Sequence, residues 1–406
     1  MKKIFNSLVS LLAVLTVITF FSCTSPSSSN DSDVSATSIV NSMKFGWNLG
    51  NTLDACNSGE SWNTTSTDEI DWGLKNTATD QLFQKLKDSG IKSVRIPISW
   101  HNHVDSNLNI NSEWMKHVKN VVDMAYSKGL YVIINIHHDN YDGDSLGTNA
   151  GFTLKEADKQ KSLRFVESIW NQVAAEFKYY DEHLVFETLN EPRLIGDTPV
   201  WYCPEESWTC STCKTAISII NELNQKAVDT IRSAGGNNAN RVIMFPSYVA
   251  SPYAAINAKN AGLFKIPSDS ATGRLVLSVH MYTPYNFAMN CTASEGAHSN
   301  FTESDKTELS KHFTDLNTTF ISKGIPVVIG EMGATNKSNF DARKAWFKYY
   351  LELCKQYNVA ALLWDNGQET NSNPSEAFGY MNRTKNEWFT GSNASELIST
   401  AVNARN

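Results

Sequence analysis

The sequence predicts a (β/α)8 barrel, and three observations support this fold class. Short apolar runs recur eight times, polar residues follow each of them, and amphipathic stretches separate them. The runs are continuously apolar, which is typical of strands buried on both faces of a parallel sheet. They are Phe45–Leu49, Ser93–Ile98, Tyr131–Ile136, Leu184–Thr188, Arg241–Phe245, Leu275–Val279, Pro326–Ile329 and Ala360–Leu363. A doubly wound sheet is the alternative, but nothing in the sequence resembles its glycine-rich phosphate turn.

The helices between the runs and the absence of a long linker predict a single domain. Amphipathic patterns indicate helices at Thr79–Ser89, Ser112–Lys128, Lys161–Phe177 and Ala216–Ser233. Length alone would allow two or three domains in 406 residues, but no long linker or internal repeat interrupts the chain after residue 38. We therefore expect one α/β barrel domain over residues 39–406.

Composition narrows the class of protein. Hydrophobic residues make up 41% and charged residues 19%, so the chain can bury a core. The net charge of −7 argues against a nucleic-acid partner. Aromatic residues reach 11%, with 11 Trp and 14 Tyr, and flat rings fit sugar faces as well as protein interiors.

The N-terminus has the pattern of an export signal. Lys2 and Lys3 precede an apolar run from Leu8 to Phe21 that is too short to span a bilayer comfortably. Ser22-Cys23 resembles the end of a bacterial lipobox, although Phe20 and Phe21 depart from that pattern. We expect a signal peptide over residues 1–22 and a flexible polar tether over 23–38. The protein would be exported, either anchored to the surface or outer membrane through lipid on Cys23 or secreted after plain cleavage.

Six further cysteines could form disulfides in an exported protein. Cys203, Cys210 and Cys213 lie in one segment, so a local bridge is the first expectation, but the pairing is not assignable from sequence. A zinc site is the alternative, without a fourth ligand at the usual spacing. The same segment carries Trp201, Tyr202 and Trp208, which would form either a stacking lip for ligand or a small apolar cluster of the loop.

Polar and ionisable residues cluster just beyond the predicted strands. The active sites of (β/α)8 barrels lie at the carboxyl ends of their strands, where the loops converge. A purely structural protein has no reason to place such residues at so many equivalent ends. The residues are Asn48, Asn51, Arg95, His137, His138, Asp139, Asn190, Glu191, His280, Tyr282, Glu331 and Trp364.

Two glutamates carry the sharpest chemical prediction. Glu191 ends the fourth run in Leu189-Asn190-Glu191-Pro192, and Glu331 ends the seventh in Ile329-Gly330-Glu331-Met332. In a barrel these ends face each other across the mouth. Glycoside hydrolysis uses such a pair, one acid to protonate the leaving oxygen and one carboxylate to attack or to activate water. The alternative is that each Glu pairs with a Lys or Arg in its loop.

Together these motifs make the sequence resemble glycoside hydrolase family 5, the cellulase-type retaining endoglucanases, and in particular its subfamily 4. Asn-Glu-Pro alone is a weak signal, but seven motifs in the family's order over most of the chain are specific. The matching stretches are Gly46–Asp54, Val94–Pro97, Ile136–Asp139, Leu189–Pro192, Val279–Tyr282, Ile329–Gly333 and Leu363–Gly367.

The resemblance implies roles for the reacting groups. Glu191 would be the general acid/base and Glu331 the nucleophile, with Arg95 and Tyr282 donating hydrogen bonds that keep Glu331 ionised. Asn190 would bind the sugar 2-hydroxyl, and His280 would orient the acid. The two carboxyl groups should lie about 5–5.5 Å apart, the retaining separation, whereas about 8–9 Å would indicate inversion.

The resemblance also implies a substrate site. His137 and His138 would line the sugar site, Trp364 would form its floor, and Asn51 and Asp54 would bind the glycone end of the chain. The activity implied is that of a monomeric endo-β-1,4-glucanase whose partner is a β-glucan polysaccharide and which needs no metal or organic cofactor. The same chemistry on xyloglucan, xylan or mannan, or a non-catalytic glycan-binding lipoprotein, are the alternatives.

Three further patterns are expected to have no catalytic or metal-binding role. Gly143-Asp144-Ser145-Leu146-Gly147 fits the serine-hydrolase pattern, but it does not join a strand to a helix. His137 and His138 are adjacent on an extended strand end, so we expect them to point opposite ways and to chelate a metal poorly. Trp47 and Trp100 are expected to pack in the core.

Overall fold

Eight parallel strands close into a barrel in which each strand pairs with its neighbours in chain order. The computed structural model describes residues 34–56, 78–141, 151–196, 201–203, 208 and 210–406. The order is β1 to β8, and β1 pairs with β8 to close the sheet. The strands are β1 Phe45–Asn48, β2 Ser93–Ile96, β3 Tyr131–Asn135, β4 Leu184–Glu187, β5 Ile243–Pro246, β6 Leu275–His280, β7 Val327–Met332 and β8 Ala360–Leu363. The predicted barrel is confirmed, and closure excludes the doubly wound sheet.

Helices connect the strands and pack around the barrel. They are α1 Ala36–Met43, α2 Asp80–Asp88, α3 Ser112–Tyr126, α4 Lys159–Glu176, α5 Ser211–Ser233, α6 Pro252–Asn260, α7 Tyr285–Ala288, α8 Glu303–Thr319, α9 Phe340–Tyr357 and α10 Ala394–Arg405. A small antiparallel hairpin, β9 Met381–Asn382 and β10 Glu387–Trp388, follows β8. Among the described residues, none of these helices combines the length and the apolar character needed to cross a membrane.

The strands are buried on both faces because alternate side chains point to the helices and to the barrel interior. On β4, Phe186 packs against Trp170 of α4, with ring centroids 5.1 Å apart. Its neighbour Glu187 points the other way and is fully buried. Arg95 of β2 and Asn135 of β3 donate hydrogen bonds to this carboxylate. The interior therefore contains charged and amide groups directly beneath the mouth.

The structure begins earlier than the predicted domain boundary. Ser35 accepts a hydrogen bond from Ser38 N and caps α1, so residues 36–38 of the expected tether are helical. Ile39, Val40 and Met43 form the buried face of that helix, which explains why it folds. The chain divides into two units, and the second, residues 35–406, contains the barrel. The predicted signal peptide, Cys23 and the tether up to residue 33 lie outside the described residues, as does the Gly143–Gly147 motif.

The fifth strand starts two residues later than expected. Arg241 lies below β5, and its buried guanidinium donates to the carbonyls of Phe177, Tyr180, Asp181 and Leu184. Burial lowers the pKa of Arg241 to about 10. The residue therefore fixes the loop that leads into β4, at the end of the barrel opposite the mouth.

Candidate active site

The structure brings Glu191 and Glu331 together at the mouth of the barrel. Glu331 lies on β7 and Glu191 follows β4. One carboxylate oxygen of each, together with a ring nitrogen of His280, lie within 4.8 Å of one another. An oxygen–oxygen approach this close is in line with the retaining arrangement, in which the two carboxyl groups lie about 5–5.5 Å apart. Glu331 is 6% exposed, and Glu191 is partly exposed.

Arg95 connects the nucleophile candidate to its surroundings. Its Nη1 donates to Glu331 Oε1 at 2.8 Å, and its Nη2 donates to Asn190 Oδ1 at 2.7 Å. Its Nε donates to Glu187 Oε2 at 2.8 Å. Burial alone lowers the pKa of Arg95, but the charges of Glu187 and then of Glu331 raise it. Arg95 is therefore a permanent cation held between two carboxylates.

Tyr282 supplies the second donor to Glu331. Its hydroxyl donates to Glu331 Oε2 at 2.8 Å. Burial first, and then the charge of Glu331, raise the pKa of Tyr282 well above its ordinary 10. The phenol therefore remains protonated at any working pH and continues to donate. Both oxygens of Glu331 thus have a donor, which is the arrangement predicted for the nucleophile candidate.

His280 lies between the two glutamates. Its Nδ1 is 2.7 Å from Glu191 Oε1 and 3.5 Å from Glu331 Oε2. Burial alone lowers the pKa of His280, but the charge of Glu331 and the hydrogen bond to Glu191 outweigh it and raise the pKa above its ordinary 6.5. The imidazole can therefore hold a proton beside Glu191, in addition to the orienting role expected for it.

The pKa of Glu191 is lowered in the free enzyme, whereas a general acid must hold its proton. Burial alone raises the pKa of Glu191, but the hydrogen bond and charge of His280, followed by the charge of Arg193, outweigh it and lower the pKa. Two groups that interact this strongly titrate as a pair. Between the lowered pKa of Glu191 and the raised pKa of His280 the pair holds one proton, and the 2.7 Å hydrogen bond gives that proton a direct path between the two groups.

The predicted glycone residues lie together on the other side of the mouth. Asp54 accepts hydrogen bonds from the backbone of Asn51 at 3.1 Å and of Thr52 at 2.7 Å. Burial raises the pKa of Asp54 to about 6 despite these bonds. His137 Nε2 and His138 Nε2 lie 4.0 and 3.7 Å from Asp54 Oδ2. The expectation that the two rings point opposite ways is wrong, because β3 ends at Asn135 and strand alternation stops before them.

Hydrogen bonding fixes which nitrogen of His137 carries its proton. Asn135 Oδ1 accepts from Ile98 N and its Nδ2 donates to Glu187 Oε2, so the amide has one orientation. The same Nδ2 lies 3.1 Å from His137 Nδ1, which must therefore accept. Burial lowers the pKa of His137 well below 6.5, so the ring is neutral and its proton is on Nε2. That nitrogen is a hydrogen-bond donor for a sugar hydroxyl and lacks the lone pair that a metal would need.

Trp364 forms a flat surface beside this donor. Its ring is parallel to that of His137, with an interplanar angle of 2° and centroids 6.1 Å apart. Gly50 allows this approach, because a Cβ there would lie 2.7 Å from the Trp364 ring. Trp47 and Trp100 are fully buried, as expected for core residues.

The cysteine-rich lip after β4 contains a disulfide between Cys210 and Cys213. The Sγ atom of Cys203 lies 3.6 Å from that of Cys210. The zinc alternative does not fit, because bonded sulfurs are not the thiolates that zinc requires. Trp208 is 1% exposed, so it is not the stacking surface considered for it.

The outer part of the lip reaches the acid candidate through an arginine. Trp201 is 57% exposed, and the Arg193 guanidinium lies over its ring at 4.2 Å. The Nη1 atom of Arg193 in turn lies 3.7 Å from Glu191 Oε2. Trp201 and the exposed Tyr202 therefore remain the aromatic surfaces of this lip.

Three buried carboxylates shape the site without a role predicted for them: Asp139 and Asp365, which lie in the recognised motifs, and Glu187, which was not singled out. Asp139 accepts from the backbone N–H groups of Trp100 and His101 and pairs with the His101 ring. Asp365 accepts from Trp47 Nε1 at 2.8 Å. Glu187 gave the clearest signal, since a carboxylate interrupts the otherwise apolar run Leu184-Val185-Phe186.

A parallel barrel whose mouth places two glutamates this close, with a cationic and a phenolic donor on one of them, defines a retaining glycoside hydrolase. A family model described as "Cellulase (glycosyl hydrolase family 5)" matches residues 53–370. The chain belongs to glycoside hydrolase family 5, and it is an endo-β-1,4-glucanase.

The relatives and solved structures agree with this assignment. Endoglucanase A of Clostridium longisporum is 38% identical over 357 residues, which cover 87% of this chain and 64% of that protein. Endoglucanase B of Neocallimastix patriciarum is 39% identical over 87% of this chain and 69% of its own length. A GH5-4 broad-specificity endoglucanase from Ruminococcus champanellensis with bound cellotriose is 35% identical, with a TM-score of 0.81 over 91% of this chain and 99% of that one. A GH5 family lichenase from Caldicellulosiruptor sp. F32 is 37% identical, with a TM-score of 0.82 over 91% and 95% of the two chains. The predicted family and activity are confirmed.

Proposed function

We propose that the enzyme cleaves β-glucan chains by double displacement, with Glu331 as nucleophile and Glu191 as general acid/base. Glu331 attacks the anomeric carbon while Glu191 gives its proton to the departing glycosidic oxygen, and the carbon–oxygen bond breaks. Water, deprotonated by Glu191, then displaces Glu331 and retains the anomeric configuration. The observation that carries this proposal is the approach of the two carboxylates to within 4.8 Å, with His280 between them.

The polar residues around the two glutamates lower the activation barrier in different ways. Arg95 and Tyr282 each bind one oxygen of Glu331, so the carboxylate is held before the substrate arrives. Asn190 Oδ1 accepts from Arg95, which leaves its amide N–H groups for the sugar 2-hydroxyl. Such a contact strengthens in the oxocarbenium-like transition state.

The glycone side is suited to a neutral sugar chain. The ring of Trp364 offers an apolar face, while His137 Nε2 and the groups around Asp54 offer hydrogen bonds at its edge. We expect cellulose-like and mixed-linkage β-glucans to be substrates, because the similar structures are named a lichenase and broad-specificity endoglucanases. Xyloglucan, xylan and mannan are the alternatives, since loop shape sets that choice.

Export is part of the proposal. The basic residues and short apolar run of residues 1–22 support a signal peptide, and Cys23 would carry lipid if the Ser22-Cys23 junction is processed as a lipobox. Mass spectrometry of the membrane-bound protein would detect a diacylglyceryl group on Cys23, and a soluble mature protein that starts elsewhere would contradict lipidation.

Two variants and a substrate panel test the function. Glu331→Gln should abolish release of reducing ends from barley β-glucan while binding of cellotetraose persists, because the amide cannot form the glycosyl ester. Glu191→Gln should abolish hydrolysis of β-glucan yet retain attack on an aryl cellobioside, whose leaving group needs no proton. Unchanged turnover in Glu331→Gln would refute the mechanism, and retained binding without any wild-type turnover on the panel would favour a glycan-binding protein.

A further inference from the structure

Glu187 is a third buried carboxylate beneath the reacting pair, at the end of β4, and it has no direct path to a sugar. It is fully buried and accepts three hydrogen bonds. Oε2 accepts from Arg95 Nε at 2.8 Å and from Asn135 Nδ2 at 2.9 Å, while Oε1 accepts from Ser278 Oγ at 2.5 Å. Burying a carboxylate is costly, so a side chain of this kind requires an explanation.

The space around Glu187 depends on a glycine next to the nucleophile. A Cβ at Gly330 would lie 3.4 Å from Glu187 Oε1 and 3.1 Å from His280 Nε2. Gly330 therefore lets β7 approach both side chains. The carboxylate of Glu187 therefore lies against the strand position next to Glu331.

Arg95 links the two carboxylates through opposite ends of one guanidinium. The Nε atom donates to Glu187 and Nη1 donates to Glu331, each at 2.8 Å. A guanidinium carries one positive charge in a rigid plane, so the negative charge of a second carboxylate beside it offsets part of the stabilisation that it gives to the first. The hydrogen bonds that Ser278 and Asn135 donate also compensate the negative charge of Glu187, so they set how strongly Glu187 acts on Arg95.

We propose that Glu187 is a positioning residue that fixes the plane of Arg95 and, through its own negative charge, offsets part of the stabilisation that Arg95 gives to Glu331. The carboxylate of Glu331 is thereby held in place without being stabilised so strongly that it attacks slowly. Through Asn135 the same residue also fixes the proton of His137 on Nε2. The inference rests on the proposed role of Glu331 as nucleophile.

The two half-reactions respond to this charge sharing in opposite directions. Glu331 loses its negative charge when it forms the glycosyl ester and regains it when water releases the sugar. A stronger bond from Arg95 to the ionised carboxylate therefore slows the first step and speeds the second. A general disturbance of the site would slow both steps, so the two explanations give different results.

Glu187→Gln is the appropriate variant because the amide has the same shape. Its oxygen can accept from Arg95 and Asn135, and its NH2 can donate to Ser278, whose hydroxyl rotates. Stopped-flow release of dinitrophenolate from 2,4-dinitrophenyl β-cellobioside gives the glycosylation rate constant from the burst and the deglycosylation rate constant from the steady state. We expect glycosylation to slow about tenfold, equivalent to about 1.4 kcal/mol, with deglycosylation unchanged or faster.

Ser278→Ala provides the opposite perturbation. Loss of the Ser278 donor leaves the negative charge of Glu187 less compensated, so it offsets more of the stabilisation that Arg95 gives to Glu331. Glycosylation should then be unchanged or faster, and deglycosylation should slow. Glu182→Gln, an exposed carboxylate just before β4, is the control and should change neither constant.

Equal slowing of both steps in a folded Glu187→Gln enzyme, or no change in either, would overturn the proposal. If that variant does not fold, the Ser278→Ala result decides, and unchanged constants there overturn the proposal. A burst that persists in Glu331→Gln would instead refute the nucleophile assignment, which separates the two failures.

Discussion

His280→Asn tests whether the proton of the acid is held by a pair of residues. In the wild-type enzyme the last proton leaves the Glu191–His280 pair only as the pH rises through the raised pKa of His280, above 6.5. Activity that needs a protonated Glu191 should therefore persist to that pH. In the variant Glu191 must hold the proton by itself, so the basic limb of the kcat/KM profile should move to lower pH.

The expected size follows from the two groups involved. The reference pKa values of an imidazole and a glutamate carboxyl differ by about two units, so the limb should fall by about one to two pH units. Burial of Glu191 raises its pKa and reduces the shift, whereas the raised pKa of His280 enlarges it. Asparagine keeps a donor near the position of Nδ1, so the orientation of Glu191 is preserved.

The assay is the pH dependence of kcat/KM for cellotetraose, which has no ionisable group. His312→Asn, on α8 outside the barrel, is the matched control and should keep the wild-type profile. An aryl cellobioside that needs no leaving-group proton should show no shift of the basic limb in the glycosylation step. If His280 only orients Glu191, its removal takes away a cation that lowers the pKa of Glu191. The basic limb of the kcat/KM profile would then move to higher pH. That result would refute the idea that the two residues share the proton.

Other perturbations separate the chemistry, the glycone site and stability. Tyr282→Phe removes the 2.8 Å donor to Glu331, so kcat on β-glucan should fall about tenfold, or roughly 1.4 kcal/mol, with KM little changed in initial-rate measurements. In the Glu331→Gln background, which binds cellotetraose without cleaving it, Trp364→Ala should weaken cellotetraose binding by roughly 1.5–3 kcal/mol in calorimetric titration, because it removes the aromatic surface. Unaltered affinity would contradict that role. Arg241→Met should lower the free energy of unfolding by about 3 kcal/mol in urea, because buried carbonyls lose their donor, while kcat at low temperature stays the same. An altered kcat would contradict this, because it would mean that a change in the loop before β4 also changes the active site at the mouth.

Much of the barrel was predictable because each strand has a local signal. A run such as Leu275–Val279 is apolar throughout, and only a strand covered on both faces needs that pattern. The chain order of the runs then leaves one closed arrangement. The ends of the helices and strands were less predictable. Arg241 directly precedes an apolar run but lies below β5, and Ser35 caps a helix that begins within a polar segment.

The principal residues of the site were predictable for a related reason. Glu191 and Glu331 directly follow or end two apolar runs, and the carboxyl ends of barrel strands meet at one face. Their donors Arg95 and Tyr282 were placed by the resemblance, and the distances agree with that placement. The lip was less predictable, because burial of Trp208 depends on contacts with Tyr248 from another loop.

By itself the sequence determined the barrel, its two facing glutamates and the family, because these depend on strand pattern and on residues at strand ends. The tertiary structure alone decided that Glu187 shares Arg95 with Glu331, that His137 and His138 converge on Asp54, and that Cys210 pairs with Cys213. Those contacts join side chains far apart in the chain or lie beyond the regular strand. Their geometry exists only once the barrel has closed and brought β2, β4 and β7 around one interior.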